Sequence, residues 1–236
     1  MKLSVLIPVY NEENTLREAI RRVQRVNVPK EIIVIDDGSR DGSRDILASL
    51  DADAKKKTDP MNELKVIFKS VNEGKGAAIR SGLAEVTGTV VIVQDADLEY
   101  NPQDFAKLLE PIEAGEADVV YGTRFYGGGP HRVLFFWHYV GNQILTLFAN
   151  ILTNLNLSDM EVGYKAFRSD ILKKIQIKSN RFGFEPEITV KIAKIGCRIF
   201  EVPISYYGRT YKEGKKITWK DGIAAFYYLL RYRLMD

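Results

Sequence analysis

The sequence has little of what secreted, metal-thiolate or membrane-spanning proteins use. It contains one cysteine, Cys197, so neither an internal disulfide nor a multi-cysteine metal site can form within one chain. The apolar run that begins at Leu3 is too short for a signal peptide, because Pro8 interrupts it, and we expect it to form a first strand instead. The net charge is only +3, which argues against nucleic acid as the main partner. These features favour a protein of a reducing compartment.

The composition is that of a globular protein. Of the 236 residues, 45% are hydrophobic and 28% are charged. A chain of this length buries roughly 70% of the surface that it exposes when unfolded, so it needs no crosslink or metal to hold a core. We therefore expect one domain with an appendage.

Strand and helix patterns alternate over the first 122 residues. Leu16, Ile20, Val23 and Val26 follow the first apolar run at helical spacing. The alternation predicts a doubly wound, mostly parallel sheet of the α/β class. From residue 127 onward the alternation stops. The predicted strands are residues 3–10, 31–36, 64–68, 89–94 and 118–121.

Polar residues follow most of these strands. They occupy positions 36–39, 72–76, 95–97 and 122–124. Because doubly wound sheets bind ligands at the carboxyl ends of their strands, we expect these four segments to form one site.

Asp95 and Asp97 follow the fourth predicted strand, two residues apart. Taken alone, such a pair more often caps the next helix. Its position beside the other polar segments favours a different role, since one or two carboxylates together with substrate phosphates typically hold Mg²⁺.

The glycines at positions 74 and 76 suggest a phosphate-binding loop at first sight. The spacing of a P-loop is absent, and the dinucleotide-binding pattern fails because position 79 is isoleucine. A tight turn before a helix is the favoured interpretation, and a nicotinamide-dependent dehydrogenase is disfavoured.

Taken in order, five motifs resemble those of family 2 glycosyltransferases with the GT-A fold, in the branch of dolichyl- or polyprenyl-phosphate sugar synthases. The resemblance covers residues 2–126 and continues more loosely through residues 159–165, residues 182–187 and the basic loop at Arg209. The motifs are Pro8-Val9-Tyr10-Asn11-Glu12, Asp36-Asp37-Gly38-Ser39, Asn72-x-Gly74-Lys75-Gly76-x-Ala78, Asp95-Ala96-Asp97 and Gly122-Thr123-Arg124-Phe125.

The resemblance implies a role for each matching position. Asp97 and Glu99 would hold Mg²⁺ or Mn²⁺, although Glu99 is also placed to cap the helix at Pro102. Asp95, Asp97 and Arg124 would be the catalytic residues. The residues implied to bind the nucleotide sugar are Pro8, Tyr10, Glu12, Asp36, Asp37, Lys75, Asp95, Arg209 and Lys216.

The implied acceptor is a polyprenyl or dolichyl phosphate, held by Arg124 with His131 and Arg132. A phosphate monoester is already mostly dianionic at neutral pH, so its attack on the anomeric carbon requires no strong base. We expect attack opposite the leaving group, which inverts the anomeric centre.

A lipid acceptor also affects the interpretation of residues 133–152. This apolar stretch of 20 residues includes His138, Asn142 and Gln143, which argues against a spanning helix. Its aromatic residues suit the surface of a membrane instead, as do those of residues 223–234. We expect peripheral contact with the cytoplasmic face of the membrane, or an anchoring partner.

The sequence therefore predicts a metal-dependent, inverting transferase that moves a hexose from UDP-glucose or GDP-mannose to a polyprenyl phosphate. Residues 159–165 look more like the glucose branch. Residues 1–126 are assigned to the nucleotide sugar and residues 127–236 to the acceptor and the membrane interface, within one domain. One alternative is a transferase of the same fold that acts on a soluble glycan or another acceptor. The other is a non-catalytic protein that binds nucleotide sugars or serves as a membrane adaptor.

Overall fold

The computed structural model describes residues 1–56, 59–126, 131–133, 135–210, 213–214 and 219–236, with the backbone alone at 219–220. A 3₁₀ turn spans Pro102–Asp104. The strands are Leu3–Val9 (β1), Lys30–Asp36 (β2), Asn62–Phe68 (β3), Val90–Val93 (β4), Val119–Thr123 (β5), Lys165–Arg168 (β6) and Ile199–Pro203 (β7). The helices are Leu16–Gln24 (α1), Ser43–Lys56 (α2), Lys75–Leu83 (α3), Phe105–Glu113 (α4), Phe136–Thr153 (α5), Ser169–Leu172 (α6), Phe184–Lys194 (α7) and Trp219–Met235 (α8).

These strands form one sheet in the order β3-β2-β1-β4-β6-β5-β7. The first four in that order run parallel, and β7 runs parallel to β5. Strand β6 is antiparallel to both of its neighbours, β4 and β5. The prediction of a doubly wound, mostly parallel sheet is confirmed.

The strands predicted from the alternation do not include β6 and β7, which lie beyond the point where the alternation stops. Strand β6 has only four residues, too few to show a period. Strand β7 is half-exposed, carries Glu201 in its middle and ends at Pro203, so it lacks the continuous apolar run of a central parallel strand.

Central strands and their covering helices explain the apolar pattern of the first half. Strands β2 and β4 are buried along their whole length, and β1 along nearly all of its length, because both faces of the sheet are covered. Helix α1 buries Leu16, Ile20 and Val23, as their spacing predicts.

The register of the strands brings the polar segments together. Val9 pairs with Asp36, and Asp36 pairs with Phe68, so β1, β2 and β3 end at one level. Leu6 pairs with Val93 of β4. Continued by two residues, this register places Asp95 level with Pro8 at the same edge of the sheet.

Helices α5 and α8 pack against each other, with the rings of Phe148 and Phe226 5.1 Å apart. Helix α5 buries Leu145, Thr146 and Ala149. No helix in the described part of the chain is long and apolar enough to cross a membrane. Both helices nevertheless expose large apolar side chains at helical spacing, and we call these the apolar face: Trp137, Ile144, Leu147, Ile151, Ile223, Tyr227, Leu230 and Leu234.

A buried carboxylate at the opposite end of the sheet stabilises the fold. Glu31 is fully buried and accepts hydrogen bonds from Ser4 Oγ at 2.5 Å, the Thr87 amide at 2.6 Å and the Gly88 amide at 3.0 Å. Burial by itself raises the pKa of Glu31, but these hydrogen bonds together lower it to about 2.

We expect Glu31→Gln to lower the free energy of unfolding at pH 7 by about 2 kcal/mol, because buried donors lose a charged acceptor. Because the pKa of Glu31 is lower in the folded than in the unfolded chain, its carboxylate stabilises the folded state fully at pH values above 4.5, the usual pKa of glutamate. This contribution is lost as the pH falls towards 2. Urea unfolding at pH 7 and pH 3 measures the difference. A gap between wild type and variant that does not shrink at pH 3 would contradict this assignment.

Candidate active site

One guanidinium group joins the carboxylates predicted to bind the metal and the nucleotide. Arg209 donates from Nη2 to Asp97 Oδ2 at 2.9 Å and from Nε to Glu99 Oε1 at 3.2 Å. Its Nη1 lies 3.6 Å from Glu12 Oε2. The structure thus brings four predicted site residues into one cluster, while Lys216 lies outside the described residues.

Glu99 binds the segment around Arg209 rather than the following helix. Its carboxylate accepts hydrogen bonds from the Arg209 amide at 3.1 Å and from the hydroxyl of Tyr206 at 2.9 Å. The turn at Pro102 is capped by Asn101, whose side chain accepts from the amide of Gln103. The prediction that Glu99 caps this turn is therefore wrong, because Asn101 fills that position.

The backbone between the two carboxylates is strained. Leu98 adopts a left-handed conformation with φ of 64°, which is uncommon outside glycine, asparagine and aspartate. This turn brings Asp97 and Glu99 to the same guanidinium group. Strain of this kind clusters at functional sites, where the surrounding structure enforces it.

Negative charge exceeds what Arg209 compensates. Burial, together with the charges of Asp95 and Glu99, raises the pKa of Asp97 to about 7 against the opposing effect of Arg209. Among the described residues, no three histidine, cysteine or acidic side chains converge into a preformed metal site. A pair of carboxylates does suit Mg²⁺ when substrate phosphates complete its coordination.

Lys75 links Asp95 to the second half of the chain. Its Nζ lies 2.9 Å from Asp95 Oδ1 and 3.0 Å from Glu185 Oε1, and both carboxylates raise the pKa of the lysine despite its burial. The turn before Lys75 is tight, as predicted, with Gly74 at φ of 102°. A Cβ on Gly76 would lie 2.2 Å from the carbonyl oxygen of Ser179, so only glycine fits there.

Asp36 and Asp37 differ in their partners. Asp37 accepts from Lys69 Nζ at 2.5 Å and from the Gly74 amide at 2.6 Å, so it fixes the turn before α3. Asp36 is fully buried and accepts from the Ser39 amide. Pro8 lies in β1 opposite Ile35 of β2, at the same edge of the sheet.

Arg124 is held by a buried carboxylate that the sequence did not place in the site. Asp159 accepts from Arg124 Nε at 2.6 Å and from Nη2 at 2.7 Å, in a bidentate pair. Asn142 of α5 lies 3.3 Å from Nη2 of Arg124 and also donates to Asp159. The guanidinium group stacks over the ring of Tyr206, 5.1 Å from its centre.

His131 and Arg132, predicted to hold the acceptor phosphate, lie beside Tyr206. The backbone of His131 pairs with Tyr206, and the amide of Arg132 donates to the Tyr206 carbonyl. The side chain of Arg132 donates to Glu213 at 2.8 Å and to the Gly208 carbonyl at 3.2 Å. Both residues therefore join the segment that carries Arg209.

Sequence reasoning missed Tyr206 and Asp159 as site residues. For Glu185, at a helix start, it left open whether the carboxylate stabilises the helix N-terminus or takes part in catalysis. Asp159 stands in the segment 159–165 that carried the family resemblance, so this motif was the available signal. Nothing in the sequence pattern marks Tyr206, because its role depends on backbone pairing with the distant residues Tyr100 and His131.

Solved structures share this fold. Glucosyl-3-phosphoglycerate synthase from Mycobacterium tuberculosis, in complex with Mn²⁺, UDP and phosphoglyceric acid, matches 100% of this chain and 79% of its own, with a TM-score of 0.74 at 20% identity. The same enzyme with Mg²⁺ and UDP matches 98% of this chain and 79% of its own, with a TM-score of 0.69 at 20% identity. The architecture is therefore that of a GT-A glycosyltransferase.

The family model described as glycosyl transferase family 2 matches residues 4–176. The chain belongs to this family and is a glycosyltransferase, as the sequence motifs predicted.

Curated relatives extend the comparison. An undecaprenyl-phosphate mannosyltransferase of Micrococcus luteus is 32% identical over 91% of this chain and 87% of its own length. A polyprenol monophosphomannose synthase of Mycolicibacterium smegmatis is 29% identical over 87% of this chain and 77% of its own. A dolichol-phosphate mannosyltransferase of Pyrococcus furiosus is 29% identical over all of this chain and 64% of its own. These relatives support the predicted branch of the family.

We expect the buried pair of Arg124 and Asp159 to show strong coupling in a double-mutant cycle. Asp159→Asn leaves a largely buried arginine without its carboxylate and should lower the free energy of unfolding by about 3 kcal/mol. Combining it with Arg124→Gln should cost less than the sum of the two single changes. Urea unfolding of the four proteins measures the coupling.

The pair of Asp118 and Arg198, 2.9 Å apart, serves as the control because its arginine is half exposed. Its coupling energy should stay below about 1 kcal/mol. Equal coupling energies for the two pairs would show that burial does not strengthen the Arg124 pair.

Proposed function

We propose that the chain transfers a hexose from a nucleotide sugar to a polyprenyl phosphate. The observation that carries this proposal is that α5 joins a buried arginine to an exposed apolar surface. Asn142 of α5 contacts Arg124 and Asp159, while Leu147 and Ile151 of the same helix point outward. An acceptor with a phosphate head and an apolar tail matches this arrangement.

The curated relatives support the acceptor and suggest the sugar. Three of them are named for the transfer of mannose to polyprenyl or dolichol phosphate carriers, or for its product. Mannose from GDP-mannose is therefore the first donor to test. Glucose from UDP-glucose is the second, since residues 159–165 resemble the glucose branch.

The carboxylates beside Arg209 provide a place for the donor diphosphate and a divalent cation. Asp97 and Glu99 would hold Mg²⁺ or Mn²⁺, and the excess negative charge around Asp97 fits a bound cation. When bound, the cation would offset the charge of the leaving diphosphate. Asp95, fixed by Lys75, faces the sugar and ribose in this arrangement.

The reaction needs an oriented phosphate rather than a base. An oxygen of the acceptor phosphate forms a bond to the anomeric carbon, and the bond from that carbon to the diphosphate oxygen breaks with its electron pair. Attack from the opposite side inverts the configuration. Arg124, held rigid by Asp159, positions the nucleophile, with His131 and Arg132 nearby.

The apolar face supports a location of this chemistry at a membrane surface. We assign it to peripheral contact with the cytoplasmic face of the bilayer, where a polyprenyl phosphate presents its head group. A soluble glycan acceptor gives these exposed side chains no role.

Transfer from radiolabelled GDP-mannose and UDP-glucose to a short-chain polyprenyl phosphate, with Mg²⁺ or Mn²⁺, tests the function. We expect label in the organic phase from one donor. Asp97→Asn should reduce transfer at least ~100-fold because it removes a charged ligand next to the leaving group. Asp118→Asn, at the end of β5 away from Arg124, should leave the rate within about twofold.

Label that appears only with a soluble acceptor such as phosphoglyceric acid would overturn the lipid assignment. Binding of nucleotide sugar without any transfer would favour a non-catalytic protein.

Flotation with vesicles that contain anionic lipid tests the membrane contact. We expect the wild type to float with the vesicles and the double variant Leu147→Glu/Ile151→Glu to remain in solution, because two charges oppose insertion of the apolar face. The control is Ile195→Glu, an exposed apolar residue at the end of α7.

The double variant should keep its activity on a water-soluble short-chain acceptor. If the wild type does not float, an anchoring partner rather than the chain itself makes the membrane contact.

A further inference from the structure

One buried carboxylate oxygen between the donor and acceptor groups has no partner. Among the described residues, only Asp36 Oδ2 and Glu161 Oε1 are buried side-chain polar atoms without a hydrogen bond. Asp36 Oδ2 lies 3.4 Å from Arg44, so a charge compensates it. Glu161 Oε1 has no such ion pair, and buried polar atoms without a partner are rare in folded proteins.

The loop that carries Glu161 is fixed on both sides. Asp159 binds Arg124, and the amide of Met160 donates to Thr146 of α5 at 3.2 Å. The amide of Gly163 donates to the hydroxyl of Tyr100 at 2.9 Å. The position of Glu161 is therefore set by its neighbours, and the orphaned oxygen does not arise from a loose loop.

The same loop runs from the arginine assigned to the acceptor phosphate to the aspartate assigned to the donor sugar. At one end, Asp159 holds the arginine assigned to the acceptor phosphate. At the other end, Gly163 lies so close to Asp95 that an added Cβ would be 2.6 Å from its Oδ2. Glu161 stands between Asp159 and Gly163 in the chain, and in the proposed reaction the donor sugar must lie between Asp95 and Arg124 to be attacked.

Lys165 forms no ion pair with Glu161. It is buried, donates to the carbonyl of Val162 and places its ammonium group 4.7 Å from the centre of the Tyr121 ring. Burial and the charge of Glu185 raise the pKa of Glu161 to about 7, against the opposing effects of Lys165 and Arg124. An unpaired buried carboxylate costs folding free energy, which a ligand that donates a hydrogen bond would recover.

We propose that the Glu161 carboxylate accepts a hydrogen bond from a hydroxyl group of the donor hexose and thereby selects the sugar. This inference rests on the proposed function, because it takes Asp95 and Arg124 as the two ends of the transfer. It assigns the donor-sugar contact to a residue of the second half of the chain.

Calorimetric titration of the full chain with GDP-mannose and with GDP, in the presence of Mg²⁺, tests the inference without any acceptor. UDP-glucose and UDP form the parallel pair. In Glu161→Ala, the ratio of the Kd of the nucleotide sugar to that of the nucleotide should rise roughly 10- to 100-fold over the wild type. The Kd of the nucleotide alone should stay within about twofold.

Donors that lack one hydroxyl group identify the contact. One deoxy sugar should bind the wild type more weakly by a similar factor but bind Glu161→Ala no more weakly than the complete sugar does. A merely structural role for Glu161 does not produce this loss of additivity.

Thermal stability also distinguishes a role of Glu161 in sugar binding from a structural role. Glu161→Gln should have the same or a higher melting temperature, since it removes an unpaired buried charge. The control is Glu187→Gln, whose carboxylate accepts from the amides of Lys178 and Ser179 at 2.7 Å. That variant should melt lower and leave the ratio of dissociation constants unchanged.

An unchanged ratio in Glu161→Ala, or a wild type that binds neither nucleotide sugar, would overturn the inference. A changed ratio in a protein that does not glycosylate polyprenyl phosphate would leave the inference standing and reject the proposed acceptor.

Discussion

Mutual repulsion among carboxylates is the constraint on which the site depends. The level register of β1, β2 and β4 brings acidic side chains from separate loops to one edge of the sheet. Two cationic side chains reduce this repulsion: Lys75 forms an ion pair with Asp95, and Arg209 forms ion pairs with Asp97 and Glu99. The residual negative charge favours the binding of a cation, which in the proposed function would accompany the donor diphosphate.

A second consequence is that contacts link the proposed donor and acceptor sides of the site. The Tyr206 hydroxyl donates to Glu99 on the proposed donor side, and the guanidinium group of Arg124, on the proposed acceptor side, lies over the Tyr206 ring. Helix α5 carries this linkage outward through Asn142 to the apolar face. The charged groups of the site and the apolar face are therefore connected by a continuous series of contacts.

The sequence predicted what depends on local pattern. Helical spacing identified α1, and apolar runs identified the five strands of the first half. The strand-end motifs made Asp97 and Arg124 candidate site residues, and the basic C-terminal loop did so for Arg209. Contacts between segments that are distant in the chain could not be predicted from the sequence. The pairing of Arg124 with Asp159 spans 35 residues and that of Arg209 with Asp97 spans 112, and no periodicity reports such distances. The short strand β6 was missed for the same reason, since its neighbours in the sheet define it.

The place of β6 between β4 and β5 also shapes the order of folding. Strand β5 is synthesised before both of the strands that pair with it, β6 and β7. While the nascent chain emerges, β1 to β4 can assemble, but β5 has no edge to join until residues 165–168 arrive. The arginine that follows β5 is therefore fixed late, together with the aspartate that orients it.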